Sequence, residues 1–167
     1  LNSFNLTRFD SADEVKARMT EDLSQCAGAP VEVTLLSVDE GGALATLDGH
    51  CIDHQDIEID HYQPAPELLR SVAGTDTEER LYSHLLKSNC PVTGQPDWAS
   101  ILIDYQGPVI DQQGLLRYLV SYREHGDFHE QCVEQIFMDL LEHCKPQALT
   151  VYARYVRRGG LDINPYR

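Results

Sequence analysis

Apolar positions recur along this chain with two different periods, and the changes between them predict its elements. Val15, Met19, Leu23 and Cys26 follow at helical spacing after Ser11, which with Glu14 forms an S-x-x-E capping box; Gly28 and Pro30 stop that helix. Val31 to Val38 is rich in β-branched residues and runs into Asp39-Glu40-Gly41-Gly42, which predicts a hairpin into Ala43–Leu47. Leu1–Asn5 reads as the end of a strand, and Ile57–Asp60 alternates like a half-buried one. Gln63–Glu79 holds Pro64, Pro66, Gly74 and an acidic patch, and reads as a linker. Leu81–Lys87 and Trp98–Tyr105 then predict two strands joined by the loop Ser88–Asp97. Asp111 is placed to cap a helix carrying Leu115, Leu116, Leu119 and Val120 that ends at Gly126. Asp127 is placed to cap another, whose apolar face runs Val133, Ile136, Phe137, Leu140, Leu141 and Cys144 until Pro146 closes it. Leu149–Val156 is a strand, with room for a short final one in the tail after Gly159-Gly160. Strand, strand, helix, helix, strand makes an α+β domain, and its open sheet edges call for pairing with a second copy.

Composition narrows the function classes. The 167 residues are 42% hydrophobic and 24% charged, which suits a folded chain of one domain or two small ones. Thirteen Lys and Arg against 27 Asp and Glu give a net charge of −14, which argues against direct binding to a nucleic-acid backbone. No apolar run approaches the ~18–20 residues that span a bilayer. Cys26, Cys51, Cys90, Cys132 and Cys144 are odd in number and form no C-x-x-C pair, as expected of reduced thiols in a cytoplasm. The chain begins at Leu1 and its methionines are Met19 and Met138, so a piece of a longer protein is expected.

Four clusters offer chemistry. Cys90 sits in Ser88-Asn89-Cys90-Pro91-Val92-Thr93-Gly94-Gln95-Pro96-Asp97-Trp98, where Pro91 holds the cysteine extended and Gly94 and Pro96 bend the loop back toward Asp97. A carboxylate beside a thiol can take its proton and return it later; the competing reading is a small buried cysteine and a turn-capping aspartate. His129 and Glu130 open a helix. They either bind a heterocycle through paired donor and acceptor edges, or Glu130 closes a D-x-x-E box with Asp127. Arg154, Arg157 and Arg158 precede Gly159-Gly160, a combination suited to a phosphate-bearing ligand or to a solvated strand end. His50, Cys51, Asp53, His54 and His61 hint at a metal, but match none of the usual zinc spacings. Neither G-x-G-x-x-G nor a P-loop is present.

Three of these segments, Ser88–Trp98, Phe128-His129-Glu130-Gln131-Cys132 and Arg157-Arg158-Gly159-Gly160-Leu161-Asp162-Ile163, together resemble the nitrile reductase family. These are the NADPH-dependent 7-cyano-7-deazaguanine reductases (QueF) of queuosine tRNA modification. Leu1-Asn2-Ser3-Phe4-Asn5 and Asp48-Gly49-x-Cys51-Ile52-Asp53 resemble the longer, two-module branch of that family. The resemblance implies a tunnelling fold: residues 1–75 as the remainder of an amino-terminal module plus linker, and 76–167 as the carboxy-terminal module with the catalytic cysteine. It implies that Cys90 forms a thioimide with the nitrile carbon and that Asp97 donates the proton. His129 and Glu130 would grip the deazaguanine, while Arg158 and Gly159 would hold NADPH. A cytoplasmic homodimer with no metal and no direct nucleic-acid contact is implied as well. In the family a Glu-Ser-Lys segment precedes the counterpart of Leu1–Asn5 and helps bind both ligands, so this polypeptide alone is expected to turn over little. Two rival readings are a zinc-dependent cyclohydrolase-like tunnelling-fold enzyme and a non-catalytic purine-binding or assembly module.

Overall fold

The computed structural model describes residues 2–41 and 45–167. The chain forms two compact units, Leu1–Ala45 and Thr46–Arg167. In the first, helix α1 (Ala12–Ala27) begins at Ser11, whose Oγ accepts from the Glu14 amide at 3.1 Å, and ends at Gly28 with φ +65°. The Glu14 carboxylate reaches back one residue further than a reciprocal box requires, accepting from the Asp10 amide at 3.0 Å. Among the described residues of this unit, two expected strands do not form. A short 3-10 turn, Asn2–Phe4, stands where a strand end was expected, with Leu1 outside the described residues. Residues 31–37 are irregular and lead into a 3-10 turn, Val38–Glu40; the expected return strand lies partly outside the described residues. Strand propensity needs a partner ladder to become a strand, and among the described residues none is offered to residues 31–37.

The second unit carries a sheet ordered β1 (His50–Cys51), β2 (Ser71–Asn89), β3 (Pro96–Ile110) and β4 (Ala148–Tyr155). The pair β1–β2 is parallel; β2–β3 and β3–β4 are antiparallel. Helices α2 (Gln112–Ser121) and α3 (His129–Cys144) pack on it, giving the strand, strand, helix, helix, strand order read from the sequence. The core interleaves Ile101, Ile103, Val151 and Ala153 from the sheet with Leu115, Leu119, Val133, Ile136 and Leu140 from the helices. Asp111 caps α2 as expected, its Oδ1 accepting from the Gln113 amide at 3.2 Å. That helix ends at Ser121, short of Gly126, and tightens into a 3-10 turn, Tyr122–Glu124. The tail supplies the anticipated final pairing: Val151 and Arg167 exchange backbone hydrogen bonds at 2.9 Å along the edge of β4.

The expected linker Gln63–Glu79 is instead part of the packed unit. Ala65 and Leu69 are buried and β2 starts at Ser71. Residues 66–68 lie so close to α2 that a Cβ on Gly114 would collide with the Leu68 carbonyl oxygen. The polar run 75–80 is strand because β3 supplies its ladder, Asp76 to Arg80 pairing with Pro108 to Asp104. Ile57–Asp60 is irregular rather than strand, its isoleucines simply packing against the core. The stretch 46–75, grouped by sequence with the first module, therefore joins the sheet and core of the second unit through β1, Ile52 and Leu69.

Candidate functional site

The β2–β3 hairpin builds the site by register. Ser88 pairs with Asp97 and Asn89 with Pro96, so Ser88 and Asp97 point to the same face of the sheet. The ladder continues one step beyond the strands: the Cys90 amide donates to the Gln95 carbonyl at 2.9 Å, and the Gly94 amide closes the turn onto the Cys90 carbonyl at 2.8 Å. Gly94 has φ +67°, a conformation that glycine adopts without strain. Cys90 opens the turn and Asp97 lies just after it on β3, so the two residues stand at one end of one hairpin.

The start of α3 is laced to the same end. The Asn89 amide donates to the His125 carbonyl at 2.8 Å, and the Asn89 carbonyl accepts from the Asp127 amide at 3.1 Å. The Asp127 carboxylate is thereby kept outside the helix, accepting from the Phe128 amide at 2.8 Å, and Phe128 is the N-cap, with no side-chain cap bond. The D-x-x-E box expected of Asp127 and Glu130 does not form. Glu130 is exposed and borders a cavity of about 380 Å³ with Val133, Glu134 and residues 164–167.

Asp97, 2% exposed, gathers residues from two other segments. His129 Nε2 stands 3.2 Å from its Oδ2, and Arg158 Nε stands 2.5 Å from its Oδ1. The second contact is an ion pair without hydrogen-bond alignment, so Oδ1 has no hydrogen bond although it is fully buried. Arg158 is anchored further by donating from Nη1 to Gln95 Oε1 at 2.9 Å and from Nη2 to the Gln95 carbonyl at 3.1 Å. The Arg158 guanidinium, with the His129 ring beside it, offsets what burying a lone carboxylate would cost, several kcal/mol. The His129 ring lies flat on Tyr155, centroids 3.9 Å apart and planes 3° apart.

The Cys90 thiol is held below its usual range, chiefly by a hydrogen bond from the Thr93 hydroxyl, then by the Thr93 and Val92 amides, with the Arg158 charge adding to them. Burial pushes the Cys132 and Cys144 thiols the other way, to about 11, and leaves them inert. Cys26, placed by the sequence on an apolar stripe, is exposed. Thr93, Gln95 and Tyr155 are site residues that sequence reasoning missed; the turn signal around Gly94 pointed to the first two, and nothing local pointed to Tyr155. Arg158 and Leu161 exchange backbone hydrogen bonds around Gly159 and Gly160, whose φ values of +55° and +82° suit a two-residue hairpin turn. Space beside both glycines is open. The histidine-rich segment is engaged elsewhere: Asp53 accepts from Ser83 Oγ at 2.6 Å, and no group of three His, Cys, Asp or Glu among the described residues is arranged to hold a metal.

Sheet, helices and hairpin mouth define an α+β protein in which one thiol and one buried carboxylate lie at the same end, both within the influence of Arg158. This chain belongs to the QueF nitrile reductase family. The family model described as "QueF-like protein" matches residues 96–167, and that described as "Nitrile reductase, 7-cyano-7-deazaguanine-reductase N-term" matches residues 1–35. The NADPH-dependent 7-cyano-7-deazaguanine reductase of Dechloromonas aromatica is 57% identical over 169 residues, covering 100% of this chain and 60% of that protein. The protein of the same description from Hydrogenovibrio crunogenus is 56% identical over 168 residues, covering 100% and 61%. The chain thus spans about three fifths of the length of these relatives. The solved apo structure of the archaeosine synthase QueF-Like is 15% identical and covers 57% of this chain and 94% of that one, with a TM-score of 0.48. No helix among the described residues is long and apolar enough to cross a membrane.

Proposed function

We propose that this chain is part of an NADPH-dependent reductase that converts the nitrile of 7-cyano-7-deazaguanine to the aminomethyl group of 7-aminomethyl-7-deazaguanine, within queuosine tRNA modification. The observation that carries the reading is the meeting of three separated motifs at Asp97, on the hairpin whose turn holds the acidified Cys90. It is supported by the shared description of the two relatives. Cys90 and Asp97 are the catalytic pair. The Cys90 sulfur adds to the nitrile carbon, one C–N π bond opens, and the nitrogen takes a proton from Asp97, leaving a thioimide. Addition of sulfur turns a poor acceptor into a polarised C=N bond. Two NADPH molecules, bound in turn, would each supply one of the two hydrides that the four-electron reduction of the nitrile requires. His129 keeps Asp97 oriented and, with Glu130, binds the heterocycle.

The residues fit an anionic dinucleotide in one respect: the open backbone at Gly159 and Gly160, flanked by Arg157 and Arg158. Arg158 spends its guanidinium on Asp97, Gln95 and Pro96, so its part in cofactor binding is to tie that turn to the catalytic carboxylate. Residues 76–167 act as the catalytic tunnelling-fold module, with residues 46–75 packed into the same unit, and residues 1–45 belong to its amino-terminal companion. β2 runs far past the two-residue β1, leaving much of its outer edge unpaired among the described residues, which suits edge-to-edge association in a homodimer. Five free cysteines suit the cytoplasm. The substrate is a free base, so no contact with RNA is needed.

Intact-mass measurement tests the reading. A form spanning the full length of the relatives, mixed with the nitrile and no NADPH, should gain one substrate mass, and Cys90→Ala should not. Tight binding without any adduct would sink the reductase and leave a purine binder.

A further inference from the structure

We infer that Tyr155 is a positioning residue for this site: its ring, stacked on the His129 imidazole, fixes the plane in which Nε2 faces the Asp97 carboxylate. A histidine held by one polar contact can still rock about its Cβ–Cγ bond. His129 is so held: Nε2 meets Asp97 at 3.2 Å, while the buried Nδ1 has no hydrogen-bond partner. The parallel face of Tyr155, 3.9 Å away and tilted by 3°, is the contact that removes this freedom.

Tyr155 is itself well anchored. It ends β4, pairs with Ala99, and is followed by Val156, whose amide donates to the Trp98 carbonyl at 2.9 Å. Asp97 and Ala99 alternate onto the same face of β3, so register alone places Tyr155 beside the carboxylate's side of the sheet. The Tyr155 hydroxyl is buried near Ser88 and Cys132 without a hydrogen bond, and burial keeps it neutral. The ring, rather than the hydroxyl, therefore does the positioning. Tyr155 touches no reacting atom; it acts through His129. As a statement about turnover the inference rests on the proposed reductase reading, but as a statement about geometry it does not.

Histidine NMR of the full-length form tests it. In the unmodified protein the His129 ring protons should be displaced upfield by the current of the stacked ring, with a single Nε2–H tautomer. Tyr155→Phe should keep both signatures and stay within about twofold in the rate of adduct formation, whereas Tyr155→Leu should lose both and slow the adduct about tenfold or more. A His129 signal without displacement in the unmodified protein overturns the inference, even if Tyr155→Leu fails to fold. So does a folded Tyr155→Leu with unchanged His129 signals. Should the signatures behave as expected while the unmodified protein forms no adduct, the positioning stands and the reductase reading fails.

Discussion

Two buried aspartates, one at the hairpin mouth and one in the helical layer, are treated in opposite ways. Asp139 on α3 is 6% exposed and both its oxygens are hydrogen-bonded, Oδ2 accepting from Tyr118 at 2.5 Å and Oδ1 from Gln135 at 2.6 Å. Tyr118 in turn shares a hydrogen bond of 2.8 Å with Tyr122, and burial pushes both phenols far above their usual range. Every donor there is neutral and every acceptor is satisfied, as suits a network that only holds helices together. Asp97 is buried more deeply, yet it faces the Arg158 guanidinium and the His129 ring, and one of its oxygens has no hydrogen bond. A buried carboxylate with one oxygen free of hydrogen bonds keeps room for a further polar partner; one with both oxygens bonded does not. This difference, rather than burial, singles out Asp97 as the proposed catalytic group.

Substitution should split the pair with the largest effect. Asp97→Asn is expected to slow adduct formation by about 10²–10⁴-fold, the usual worth of a positioned proton donor, while Arg158 keeps its bonds to Gln95 and Pro96 and limits the stability loss. Asp139→Ala should do the reverse, stranding Tyr118 and Gln135 and costing roughly 2–4 kcal/mol in urea unfolding, with the rate per folded molecule kept. Equal effects of both changes on both readouts would erase the distinction.

A pH series sharpens it at the thiols. Cys90, lowered chiefly by Thr93, should be alkylated by iodoacetamide at lower pH than an ordinary thiol, and Thr93→Val should move that onset upward. Cys132 and Cys144 are raised from 9.0 to about 11, so their neutral forms favour the fold. That contribution is whole below pH 9 and is lost as pH rises toward 11, which alkaline unfolding curves should register. An alkylation onset for Cys90 no lower than that of an unfolded thiol would contradict the hydrogen bonding at its turn.

The smallest expected change is in stability at Glu130. Since it makes no capping box, Glu130→Ala should alter stability by no more than about 0.5 kcal/mol while weakening binding of the heterocycle. A thermal melt showing the ~1 kcal/mol loss of a helix cap, with affinity intact, would return Glu130 to a structural role.

Local pattern carried much of this protein. The capping of α1 by Ser11 and of α2 by Asp111, the apolar face of α3, and the two strands flanking Cys90 all follow from spacings within a few residues. The same reasoning failed where a neighbour decides. Polar residues 75–80 became strand because β3 was there to pair, and residues 31–37 stayed irregular with no partner among the described residues. Asp127 lost its helix because Asn89 took its backbone. Of the site, Cys90, Asp97, His129 and Arg158 were nominated by composition and resemblance, but each as a member of its own segment.

Residue order alone determined which groups this molecule has to work with and roughly which of them lie on helices and strands, because side-chain periodicity is a property of neighbours along the chain. Tertiary structure decided which groups meet. The pairing of Ser88 with Asp97, the lacing of Asn89 to the residues before α3, and the ending of β4 at Tyr155 converge on one carboxylate. Ladder register and helix docking are set by contacts between distant segments, and no local window of sequence contains both partners.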